Sequence, residues 1–159
     1  MVPFMGASEC YTCRRDADPA AAPHERIAAD GLWRVSHAIG TGLPGWLVLV
    51  PRRHVTSIAD LTDEEAAVLG TWQVRLSRAL HAVTGCQKTY VAQFAEAPGF
   101  GHVHFHIMPR PADLADSLRG PRIFGLLGVP EVDEVSAGRV AEIAAALSRH
   151  VGEQPGGDR

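Results

Sequence analysis

No run of apolar residues in this chain is long enough to span a bilayer, although 46% of its 159 residues are hydrophobic. The opening residues MVPFMGASEC carry neither the charged stretch nor the long apolar core of a secretory leader, so export is not expected. The net charge is only −3, which lacks the basic excess of proteins that grip nucleic-acid backbones. There are just three cysteines. An odd number without a leader argues against a disulfide framework and for a reducing, cytoplasmic setting. No internal repeat and no second domain are visible. The length fits a single domain, 1–159, with one core.

What is present reads as short strands and two helices. Residues 1–24 show no regular period and are expected to be a loop-rich entry segment. Trp33-Arg34-Val35-Ser36 alternates as a strand does. The apolar run Trp46-Leu47-Val48-Leu49-Val50, stopped by Pro51, reads as a buried strand. Thr62 and Glu65 form a capping box, which predicts a helix to about Val83 that stops near Gly85. Val68, Trp72, Leu76, Leu80 and Val83 share one face of it and belong to the core. Lys88 to Phe94 is a further strand. Residues 111–130 are rich in glycine and proline and read as a long irregular segment. A last helix is expected from about Glu134 to His150, with Val140, Ile143, Ala144 and Leu147 inward, followed by a frayed tail from Gly152 to Arg159. Such an order makes α+β the natural class.

Two motifs carry chemistry. His102-Val103-His104-Phe105-His106-Ile107-Met108, stopped by Pro109, reads as a strand. Alternation then puts the three histidines on one face and Val103, Phe105 and Ile107 on the other. With the apolar face on the core, the imidazoles face a surface or a cleft. Three readings stay open on residues alone: a solvated polar face, a three-histidine metal site, or a histidine nucleophile with assisting imidazoles. The second motif is Cys10-x-x-Cys13. A redox CxxC opens a helix after a strand. This one runs into Arg14-Arg15-Asp16 and the stretch Pro19 to Pro23, which looks like loop, so metal binding with partners elsewhere is the better reading. Cys86, alone after Gly85, reads as a small buried apolar residue.

The histidine segment resembles the signature of the histidine triad (HIT) family, His-φ-His-φ-His-φ-φ, where φ is apolar. Pro44-Gly45-Trp46-Leu47-Val48-Leu49-Val50-Pro51-Arg52-Arg53-His54 is similar to the family's upstream block, and Ile58-Ala59-Asp60-Leu61-Thr62 continues it into the helix. The likeness covers most of residues 8–110. It implies a HIT-like α+β fold, an antiparallel sheet of about five strands with a long central helix and a C-terminal one. It implies a nucleotide hydrolase or nucleotidyltransferase in which His104 attacks the α-phosphorus and forms a covalent nucleotidyl-histidine, with His106 assisting at the phosphoryl oxygens or leaving group. A structural zinc held by Cys10, Cys13, His54 and His102 is implied as well, since some family members and the related galactose-1-phosphate uridylyltransferases carry such a set. Homodimers are common in the family.

The chain also departs from the family's pattern. Many members have an aspartate for the ribose hydroxyls where this chain reads His37-Ala38-Ile39-Gly40-Thr41. The loop before the triad reads Ala97-Pro98-Gly99-Phe100-Gly101, without the usual Gln and Ser or Thr. Trp46 replaces a frequent histidine. Gln93 and Arg110 are candidate substrate-binding residues through phosphate contacts, and Glu96 a candidate sugar contact. His24 and His37 read as ordinary surface histidines. The competing functions are a metal-dependent hydrolase that uses all three histidines, and a non-catalytic nucleotide-binding protein on the same fold.

Overall fold

The computed structural model describes residues 6–153. Seven of its segments set the site: α1 (Tyr11–Ala17), β1 (Ala28–Ala29), β2 (Trp33–His37), β3 (Leu47–Pro51), α2 (Asp63–Thr84), β4 (Lys88–Ala92) and β5 (Phe105–Arg110). The last helix is α3 (Ala137–Glu153). The five strands form one antiparallel sheet in the order β1-β2-β3-β5-β4. After β3 the chain crosses through α2 to the far edge, and β5 then returns between β3 and β4.

Register explains the core. Val35 pairs with Leu49, Leu49 with Phe105 and Leu47 with Ile107, so their side chains line one face of the sheet. That face packs on Trp72, Leu76, Ala79 and Leu80 of α2 and on Ile143, Ala144 and Leu147 of α3. The helix forms as its sequence requires. Thr62 Oγ1 accepts from the Glu65 N–H, the Glu65 carboxylate accepts from the Thr62 N–H, and Gly85 closes the other end in the left-handed conformation. Gly45, with φ +86°, lets the α2 terminus approach. A Cβ there would meet Thr84 at 3.2 Å and Leu80 and Pro109 at 3.3 Å.

The second face of the sheet is covered too. Trp46 and Met108 bury there against Leu43, Leu114 and Ile123. The segment 111–130, expected to be irregular, covers this face with two single-stretch 3-10 helices at Asp116–Leu118 and Gly120–Leu126. Its spaced Leu114, Ile123 and Phe124 supply the apolar contacts that hold it down.

Several expectations are corrected. Residues 10–17 are not loop: Cys10 is the N-cap of α1 and Cys13 lies inside it. This seven-residue helix buries no residue of its own, so it leaves no apolar period to read. The histidine strand begins at Phe105, not His102, and the strand after α2 ends at Ala92 rather than Phe94. The last helix starts at Ala137, three residues late, because Glu131–Asp133 forms a turn of its own before it. Gly152 and Glu153 still belong to that helix, while the rest of the expected tail and the first five residues lie outside the described part. No helix among the described residues is long and apolar enough to cross a membrane.

Candidate active site and metal centre

His102 sits at a bend, and with Val103 and His104 it forms an arch that leads into β5. The N–H of Val103 donates to the Val55 carbonyl at 2.7 Å, which stitches the arch to the chain just after His54. Cys10 and Cys13 reach the same place from α1. The anchor is Arg34 on β2, only 4% exposed, whose guanidinium donates to the Glu25 carbonyl at 2.8 Å and to the Thr12 carbonyl at 3.3 Å. Asp16 lies 3.3 Å from its Nε, close enough to balance the charge but too poorly aligned for a hydrogen bond. Nothing in the sequence pattern singled out Arg34.

The ligand atoms of Cys10, Cys13, His54 and His102 all lie within 4.8 Å of one another. Cys10 Sγ and Cys13 Sγ are each 3.5 Å from His102 Nδ1, and Cys13 Sγ is 3.4 Å from His54 Nδ1. Zinc bonds of about 2.3 Å to sulfur and about 2.0 Å to nitrogen, at a tetrahedral angle, put S and N roughly 3.5 Å apart. The donor set therefore fits zinc in size and type. His102 Nε2 donates to the Pro51 carbonyl at 2.8 Å, which leaves its Nδ1 lone pair facing the thiols, as a metal-binding imidazole requires. Burial, and secondarily the neighbouring Cys10, push the Cys13 thiol up to about 11.

His104 is half-buried and its Nδ1 donates to the His102 carbonyl at 2.7 Å. In the neutral ring that bond leaves the lone pair on Nε2. The His106 ring lies 4.8 Å away, centroid to centroid, nearly perpendicular. The imidazoles do not share one open face as alternation suggested. His102 is 2% exposed and His106 is 7% exposed, because the arch turns the first toward α1 and the C-terminal segment covers the last. The Trp46 indole N–H donates to His106 Nδ1 at 3.0 Å, and Phe124 packs edge-on against the same ring at 5.0 Å. Burial, and secondarily His104, hold the His106 pKa down to about 4. The three imidazoles therefore do not converge on one point. Among the described residues the only grouping fit for a metal is the Cys2His2 set.

The remaining candidates lie at varied distances from this centre. Gln93 is half-buried and immediately follows the end of β4 at Ala92, the partner of His106. Arg110 is at the far end of β5, paired with Lys88, roughly 13 Å along the strand from His106. Glu96 is exposed. His24 is half-buried on the rim of a cavity of about 380 Å³ that also holds Glu131 and Glu134. His37 is not a surface residue. It is 3% exposed, donates from Nδ1 to the Ala38 carbonyl and accepts the Gly45 N–H on Nε2, which fastens the β2–β3 turn. Cys86 is buried, as expected of an apolar thiol. Reading the sequence missed Phe124 at the site and the bond from Trp46. An aromatic in a glycine-rich segment was the one available signal for the former.

Known proteins share this fold. The family described as HIT domain matches residues 19–113. A histidine triad protein from Bradyrhizobium japonicum is 30% identical, with 79% of this chain and 89% of that chain covered and a TM-score of 0.66. A zinc-bound histidine triad family protein from Mycobacterium smegmatis is 20% identical, covers 93% of this chain and 96% of its own, and has a TM-score of 0.65. Among curated proteins, nothing matches the chain.

Proposed function

The chain belongs to the HIT domain family, and from that premise we propose that it is a nucleotide hydrolase or nucleotidyltransferase that works through a covalent nucleotidyl-histidine on His104. The observation that carries this reading is the state of His104. With Nδ1–H held by the His102 carbonyl, its Nε2 lone pair is free and half-exposed beside His106. Such a nitrogen attacks a phosphorus centre in line with the leaving group. Positive charge then develops on the ring and is steadied by the Nδ1–H to carbonyl bond. His106 meets the phosphoryl oxygens where negative charge grows. Water or another acceptor completes the reaction in a second displacement.

Zinc on Cys10, Cys13, His54 and His102 has a structural role in this scheme. A closed four-ligand set offers no place for substrate, and its effect is to fix the arch from which His104 projects. The metal-dependent hydrolase reading is disfavoured by the turn of His102 away from His104 and His106. We take the chain as one HIT-like domain, cytoplasmic, and homodimeric. Exposed Val91 on edge strand β4 and Val74 on α2 offer an apolar surface for a second copy, which light scattering would detect. Gln93 is the proposed contact to the reacting phosphate, and Arg110, roughly 13 Å along β5 from His106, would meet only a phosphate farther along the substrate.

Mass spectrometry of the intact protein after brief mixing with a panel of nucleotides tests the central claim. A mass increase of one nucleoside monophosphate that disappears in His104→Ala supports it. Turnover with no adduct at any time point counts against it.

A further inference from the structure

His106 is enclosed on its non-reacting sides. Trp46 lies perpendicular to it with centroids 5.7 Å apart, Phe124 lies perpendicular at 5.0 Å, and Phe94 backs Phe124 at 5.4 Å. The decisive contact is the Trp46 indole N–H on His106 Nδ1 at 3.0 Å. An indole nitrogen only donates and never titrates in water. Nδ1 must therefore be the lone-pair nitrogen, and the single ring proton sits on Nε2. Nε2 has no hydrogen-bond partner among the described residues, yet it is not one of the polar atoms sealed from solvent, so it is open to solvent and to a substrate.

A neutral imidazole in this state donates a hydrogen bond from Nε2 but does not release that proton, because release would leave an imidazolate. A second proton on Nδ1 would face the indole N–H head-on in a buried place. Among the described residues the titratable ring in contact with it is His104, whose Nδ1 donates to the His102 carbonyl. The aromatic walls offer none, and the loop Ala97-Pro98-Gly99-Phe100-Gly101 carries no protic side chain.

The geometry points to Trp46 as a positioning residue that holds His106 as a fixed Nε2–H donor, and to a substrate class: nucleotides whose leaving group departs unprotonated, as a weakly basic oxyanion such as a phosphate, polyphosphate or sulfate. This rests on the reading of His104 as nucleophile. In the first step the His104 Nε2–phosphorus bond forms and the phosphorus–oxygen bond to the leaving group breaks. The electron pair leaves on that oxygen and no proton moves. In the second step water adds to phosphorus, the N–P electron pair returns to His104 Nε2, and the water's proton passes to solvent. Amine leaving groups, which must be protonated to depart, are the class this site serves poorly.

Two measurements decide it. Nitrogen-15 NMR of histidine-labelled protein near pH 7, with His106 assigned by the signals lost in His106→Asn, should show the Nε2–H tautomer. The Trp46→Phe variant should show a tautomer mixture. Its kcat should fall about 10-fold with KM changed by less than about 2-fold. Replacing Trp46 by benzothienylalanine, which keeps the shape and lacks the N–H, should do the same if the phenylalanine variant folds poorly. Steady-state kinetics should give adenosine 5′-(4-nitrophenyl phosphate) a kcat/KM at least about 100-fold above that of adenosine 5′-phosphoramidate. An Nδ1–H tautomer in the native protein, or equal rates on the two substrates, overturns the inference alone. Failure of the whole nucleotide panel to react overturns the hydrolase reading and the leaving-group inference with it.

Discussion

Nε2 of His102 donates to the Pro51 carbonyl at 2.8 Å, and that bond aims Nδ1 of the same ring at Cys10 and Cys13, each 3.5 Å away. The end of β3 thus sets the orientation of a ligand donated by the arch before β5, and α1 closes the set from the other side. The purified protein is expected to hold about one zinc per chain. Cys13→Ala should lose it in metal analysis and melt at a lower temperature, since structural metal binding is folding free energy on the order of several kcal/mol or more. A Cys13→Ala protein with full metal content would defeat the assignment.

The N-terminal attachment has an acid limit of its own. Arg15 forks onto Glu25 with two bonds of 2.6 Å, and Glu25 also accepts from the Ala22 N–H at 2.8 Å. The Arg15 bond, with that backbone bond assisting against burial, draws the Glu25 carboxyl from 4.5 down to about 2. A carboxyl held low in the folded state is more acidic there than in the unfolded chain. Its stabilisation is complete above about pH 4.5 and drains away as pH falls toward 2. Thermal melts across that window should show the native protein losing stability faster than Glu25→Gln, which has no charge to lose. Parallel curves for the two would refute it.

The capping box of α2 gives a third test. Thr62 Oγ1 accepts from the Glu65 N–H at 3.1 Å, so Thr62→Ala leaves a helix N–H unpaired and should cost about 1 kcal/mol in urea unfolding. Glu65→Ala should cost more. Its side chain is 3% exposed, accepts the Thr62 N–H and takes two bonds from Arg53, at 3.0 and 2.9 Å. Equal losses would show that the Arg53 pair adds nothing.

That helix was legible in the sequence because its signals are local: a cap, a stripe of apolar residues and a stop glycine. The triad and the zinc ligands were legible as a pattern, yet their geometry was not. Two-residue alternation holds only inside a strand, and His102 and His104 precede β5. His37 was misread because its burial comes from a turn whose Gly45 N–H it accepts across eight residues. α1 was invisible since its place depends on Arg34, a side chain distant in sequence. Phe124 reaches His106 only because the segment 111–130 folds back over the sheet, which no period within that segment reveals.

The last prediction concerns His104. Its Nδ1 bond to the His102 carbonyl at 2.7 Å can be lost without emptying a core, because the ring is only half-buried. His104→Ala and His104→Asn should therefore keep the fold and the zinc while abolishing turnover. His106→Asn should slow the reaction less completely, since that ring assists without bonding to phosphorus. A covalent intermediate also fixes the stereochemistry. Each in-line displacement inverts phosphorus, so two in succession restore it, and a chiral thiophosphate nucleotide should react with net retention. Inversion would mean that water attacks directly. His104 would then be reduced to a general base, and no nucleotidyl adduct would appear in the mass spectrum.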